Sequence, residues 1–206
     1  MIEILVGSVL LSVVHFLLPN HWLPLVTLSR SERWTLPETI NVTVLAAFAH
    51  TGSTIALGIV IGLIGYRLSG RYESFATVAA PLILLGMGLL YFTTGSRHAG
   101  HAHFSDQARL RRKSKAALIV SLCVAMFFSP CFEIEPYFLA AGAFGWPGIG
   151  MISVAYLLVS VTGMTLMVWI GYRSLQRLQW HWLEDHEKKI TGTVLIGMAI
   201  AAFYVQ

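Results

Sequence analysis

The chain has 206 residues, 56% of them hydrophobic and only 12% charged, with a mean hydropathy of +0.69. That composition excludes a disordered or strongly solvated chain and marks an integral membrane protein. The net charge of +4 and pI ≈ 9.3 arise in short loops and give no reason to invoke nucleic acid.

A spanning helix needs about 20 mostly apolar residues. Six stretches qualify: 2–28, 40–65, 75–95, 116–145, 149–171 and 190–205, the last of them short enough to need local thinning or its neighbours. The first has no basic leader or cleavage motif and carries Glu3, so it is expected to stay as a helix. Within it lies HFLLPNHWLP, residues 15–24. Pro19 has no N–H for the carbonyl of His15, and Pro24 has none for that of Asn20. The helix is therefore expected to kink or open between His15 and His21, leaving carbonyls to face inward. Thr39 or Asn41 is expected to cap the second span. That span carries AFAHTGSTIALG, with His50 beside Thr51, Ser53 and Thr54. Gly52 is expected to admit a neighbouring backbone, and Gly58 and Gly62 form a small-residue packing pair.

After the third span comes a polar loop with His98, His101 and His103 ahead of a basic run. It is either an ordinary solvated loop or a metal-capture segment. The fourth span holds FSPCFEIEP, where Pro130 and Pro136 bracket Cys131, Glu133 and Glu135. Two carboxyls in hydrocarbon are expected to be protonated or neutralised by a cation, with Glu133 taken as the deeper. Cys131 is either a soft ligand or a small apolar filler. Cys123 and Cys131 lie about 12 Å apart along a helix, too far for a disulfide. The stretch LQRLQWHWLEDHEKK reads as an interfacial helix ahead of the last span.

Spans 1 and 4 are both broken by a proline pair and begin three spans apart, the pattern of an inverted repeat. The expected fold is all-α: six transmembrane helices in two three-helix repeats, 1–96 and 116–206, joined by the basic loop 97–115. Twelve of the fourteen Lys and Arg residues fall in loops on one face, and only Arg67 and Arg71 on the other. That bias puts the basic loops in the cytoplasm and both termini outside. His15, His21 and His50 are read either as buried interhelical hydrogen bonders or as imidazole ligands for a divalent transition metal. Asn20, the freed carbonyls, Glu133 and Cys131 would complete such a site.

The run from His15 to His21 resembles the first-helix HxxxxDH signature of nickel/cobalt permeases. It is still more similar to the HxxxPxH form of the nickel/cobalt resistance exporters and urease-accessory membrane proteins. These belong to a superfamily shared with lysine exporters and thiol-disulfide carriers. FAHTGSTIALG is similar to their second-helix histidine motif, and FSPCFEIEP to their fourth-helix proline-cysteine segment. The resemblance implies a six-helix carrier in a bacterial inner membrane, not an enzyme, moving nickel or cobalt, with His15, His21 and His50 as ligand or selectivity residues. The permease signature has aspartate where this chain has Asn20. The expected partners are the transported ion and the bilayer, with self-association left open and no permanently bound cofactor. The alternatives are a transmembrane thiol-disulfide carrier, although residues before Cys123 include no cysteine, and an exporter of a small organic or sulfur-containing anion.

Overall fold

The computed structural model describes residues 1–69, 73–94, 115–174, 189–190, 192–197 and 199–200, without the side chains at 20, 68–69, 73–80, 91 and 94. The histidine loop with His98, His101 and His103 lies outside the described residues, as do the interfacial stretch and the end of the last span. Among the described residues the chain is helical, with no strand. Three helical runs are long and apolar enough to cross a membrane: Ile2–Ser31, Leu36–Arg67 and Gly145–Ser174. Pro81–Leu90 and Lys115–Phe127 are shorter apolar helices. Exposed Leu10, Phe48, Val154 and Leu158 leave the outer surface apolar, as lipid contact requires. The chain is a helical membrane protein.

The first run is two helices, α1 (Ile2–Leu17) and α2 (Pro19–Ser31). Leu18, with φ −69° and ψ 136°, is extended between them. The ring of Pro19 excludes its predecessor from helical geometry, while its own fixed φ suits the first position of the next helix. The break thus falls between His15 and His21, as proline chemistry predicts. Pro24 does not open the chain: it stays inside α2, which runs on to Ser31. There the helix ends in a Schellman turn, with Trp34 N–H on the Ser29 carbonyl at 2.8 Å and Arg33 N–H on Arg30 at 3.2 Å. Arg33 takes the left-handed position, φ 55°, usually given to glycine.

Helix α3 (Leu36–Ser69) is capped by neither Thr39 nor Asn41. Thr35 precedes it, and the Thr35 N–H donates to Glu38 at 2.9 Å, half of a T-x-x-E capping box. Thr39, Thr43 and Thr51 bond back to carbonyls four residues earlier, which satisfies their hydroxyls in an apolar medium. Helix α4 (Glu73–Thr94) contains Pro81. Its Gly88 meets Ile196 and the Gly192 carbonyl, so the last described helical residues pack on α4 almost backbone to backbone.

The stretch expected as a fourth span is likewise broken. Helix α5 (Lys115–Phe127) stops, residues 128–134 are non-helical, and α6 (Glu135–Gly142) starts with Pro136 in its first turn. Gly145 (φ 67°) turns the chain into α7 (Gly145–Ser174). Helix α3 packs on both α6 and α7. Gly58 and Gly62 lie against Phe138 and Ile149, as their spacing predicts. Gly52 instead is exposed and open, with no neighbouring backbone.

The core forms two apolar clusters. One includes Leu11, Ile134, Phe138, Ile152 and Tyr156; the other includes Trp22, Val42, Ala46, Met126 and Met164. Each main element passes from one cluster to the other through polar residues. On α1 and α2 these are His15 and His21, on α3 His50 to Thr54, after α5 Cys131 and Glu133, and on α7 Ser160. The polar groups therefore occupy a layer between two apolar ones. Beyond the second cluster the helix ends gather basic groups. Arg30 donates to the Tyr172 carbonyl, Lys115 pairs with Glu38 at 2.6 Å, and Arg173 lies over the Trp169 ring.

Candidate metal centre

The break at Leu18 is what turns the first two histidines toward each other. On an unbroken helix, positions six apart lie on different faces. Here the His15 and His21 ring centroids are 4.2 Å apart. His50 joins from α3, 4.7 Å from His21 and stacked on His15 at 5.7 Å. The loop between α5 and α6 adds Cys131, whose Sγ lies 3.2 Å from His15 Nδ1. Donor atoms of His15, His21 and Cys131 all fall within 4.8 Å of one another. Side chains from three separate parts of the sequence thus converge on one buried point.

Hydrogen bonds fix which nitrogens are bare. Pro130 has no N–H for the Met126 carbonyl, so that oxygen accepts from Ser129 N–H at 3.3 Å and faces His50 Nδ1 at 3.4 Å. A carbonyl only accepts, so His50 carries its proton on Nδ1 and leaves the Nε2 lone pair free. Cys131 donates its thiol proton to Glu133, so its sulfur accepts from His15 Nδ1–H. His15 Nε2 is then also unprotonated. Both Nε2 atoms are buried with no hydrogen-bond partner among the described residues. Buried polar atoms without partners call for an explanation such as a ligand. Histidines serving only as interhelical hydrogen bonders would not leave these atoms bare.

The cysteine loop is anchored on α3. Cys131 N–H donates to Thr54 Oγ1 at 3.0 Å, and that hydroxyl donates to the His50 carbonyl at 3.1 Å. One threonine therefore ties the thiol's backbone to the helix bearing the third imidazole. Thr54→Val removes the acceptor but keeps the shape. The stranded N–H is expected to lower unfolding free energy by about 1–3 kcal/mol, while Thr54→Ser retains stability. Thermal unfolding in detergent measures this, and an unshifted Thr54→Val melt would refute the anchoring role.

A cavity of about 10 Å³ opens between Leu11, Ser12, His15, Cys131, Glu133, Ile134 and Tyr156. That is space for about one water or one small ion. Ser12 and Tyr156 have no motif to announce them; they reach the wall only because α1 and α7 pack together.

Several expectations change in three dimensions. The carbonyls freed by the first break are not presented to an ion: the His15 carbonyl accepts from Leu18 N–H at 3.3 Å, and that of Leu17 from the Trp22 indole at 3.4 Å. Glu135, not Glu133, is the more buried carboxyl within the protein, 5% exposed and without a hydrogen-bond partner for either oxygen among the described residues. Glu133, only half-buried, reaches Cys131 because it sits in the non-helical loop. The side chain of Asn20 lies outside the described residues.

No family model, curated protein or solved structure matches the chain.

Proposed function

We propose that the protein is a secondary transporter of a divalent transition-metal ion, of the nickel or cobalt kind that its resemblance to nickel/cobalt carriers implies. One observation carries the reading: three imidazoles from α1, α2 and α3 share a buried point where two Nε2 lone pairs have no partner. Neutral imidazoles bind a divalent ion without the full cost of burying charged ligands. The groups that orient the ligands are in place, since Met126 and Thr54 hold the ring and loop that face the site.

The surrounding architecture supports transport rather than static storage. Two interrupted spans meet in the polar layer between two apolar clusters, where a carrier built from inverted repeats binds its substrate. In this proposal six spans form two three-helix halves that rock about the site in a bacterial inner membrane. The basic end with Arg30, Lys115 and Arg173 faces the cytoplasm, with both termini outside.

The test is metal flux in proteoliposomes loaded with a metal-sensitive dye. Wild-type protein is expected to carry cobalt(II) or nickel(II) across the bilayer, and His21→Ala is expected to reduce that flux to the rate of empty vesicles. Wild-type flux from His21→Ala would remove the reading.

A further inference from the structure

We propose that Cys131 is itself a metal ligand, so that the site is a four-coordinate imidazole–thiolate centre taking zinc(II) or cobalt(II) in preference to nickel(II). The inference rests on the transport reading and narrows its substrate class.

Geometry is the first support. With metal–nitrogen bonds of about 2.0–2.1 Å and a metal–sulfur bond of about 2.3 Å, tetrahedral ligand atoms lie roughly 3.3–3.6 Å apart. Cys131 Sγ accepts from His15 Nδ1–H at 3.2 Å, which seats the sulfur against the ring whose Nε2 is bare. The His15, His21 and Cys131 donors all lie within 4.8 Å of each other, so a contraction of about 1 Å closes the cage. His50 stands outside that 4.8 Å group, and its bare Nε2, on a ring 4.7 Å from that of His21, becomes the fourth donor as the rings draw together.

Space is the second. The cavity beside His15 and Cys131 measures about 10 Å³ and is walled by Leu11, Ile134 and Tyr156. On that side of the centre there is room for about one water, which favours a compact ligand set over a hydrated one. Nickel(II) with nitrogen and oxygen donors favours square-planar or larger coordination shells, whereas zinc(II) accepts a tetrahedral set and thiolate ligands select soft or borderline ions. A sulfur donor in a tetrahedral ligand set therefore discriminates by geometry as well as by softness.

The third support is the loop's construction. Cys131 is 6% exposed, and its backbone is tied by Thr54 to the helix that carries His50. A cysteine serving as apolar filler needs no such tether and would not direct its sulfur at an imidazole.

Cobalt(II) reports the outcome directly in full-length protein purified in detergent and kept reduced. Wild-type protein is expected to show the intense visible bands of four-coordinate cobalt and a near-ultraviolet sulfur-to-cobalt charge-transfer band. Cys131→Ser should still bind cobalt but lose the charge-transfer band. Zinc(II) should displace cobalt near equivalence, while nickel(II) should need about tenfold more or greater. A weak six-coordinate spectrum in the wild type, unchanged by Cys131→Ser, would overturn the thiolate ligand while leaving metal transport standing. Failure of the wild type to bind cobalt, zinc or nickel at all would overturn both. Should Cys131→Ser not fold, Cys131→Ala and the wild-type spectrum decide the question.

Discussion

His15→Ala is expected to leave the purified protein without bound metal. His15 is the hub of the centre: its ring neighbours both other imidazoles, and its Nδ1 contacts the only sulfur in the cluster. Losing an outer-shell partner weakens a metal site by about 10–100-fold, and losing this ring should exceed that. The apo fold should be much less affected. Alanine removes a buried Nε2 that has no hydrogen-bond partner, so the lost Nδ1–H contact to Cys131 and the cavity left behind are what disfavour folding. Metal content by mass spectrometry, together with calorimetric titration and a metal-free melt, separates the two effects. Metal content equal to that of the wild type would eliminate His15 as a ligand and leave the imidazole cluster a packing feature.

Gly142→Val is expected to be the most damaging single substitution to the fold. A Cβ at 142 would overlap the Gly62 carbonyl and come within 2.8 Å of the Tyr66 nitrogen. Both are backbone atoms of α3, so no side chain can swing aside. Gly65 repeats the arrangement from the other side, against the Leu139 carbonyl. Such small-residue contacts let membrane helices approach when lipid offers no hydrophobic drive between them. Overpacking here should destabilise by about 3 kcal/mol, the upper end of the usual range. Because α6 directly follows the cysteine loop, the same shift should loosen cobalt binding. A thermal melt in detergent checks the first effect, and a Gly142→Val melt within a degree of wild type would show that the two backbones do not need this closeness.

Much of the architecture follows from rules that act along a few residues. Proline cannot donate, and it excludes its predecessor from helix, so the interruption at Leu18 and the gap between Pro130 and Pro136 are readable without any knowledge of neighbours. The same rule overreaches at Pro24, where a lost bond near the start of a helix is tolerated. The T-x-x-E box at Thr35 and Glu38 is equally local, and is a better start signal than Thr39 or Asn41. The relative burial of Glu133 and Glu135 is not local. It depends on where α6 begins and what covers it, which a count of residues into a span does not contain.

The inward carbonyls show a subtler limit. Proline chemistry correctly identifies which oxygens lose their helical donors, but not what replaces them. At the first break the neighbouring backbone and the Trp22 indole take those oxygens. At the second, the Met126 carbonyl faces His50 and sets its tautomer. These three acceptors meet the protein's own donors, which under the proposed function leaves side chains as the ligands.

Composition, apolar run length and proline placement by themselves determined a helical membrane protein with two interrupted helical runs and histidines at the first interruption. These are properties of single residues and short windows, governed by transfer into lipid and by backbone sterics. Only the tertiary structure decided that His50 and Cys131 join His15, that the latter two meet across 116 positions, and that a cavity with space for about one water lies beside them. Such a meeting depends on how α3, α6 and α7 settle against one another through their glycine contacts, and no local window contains that information.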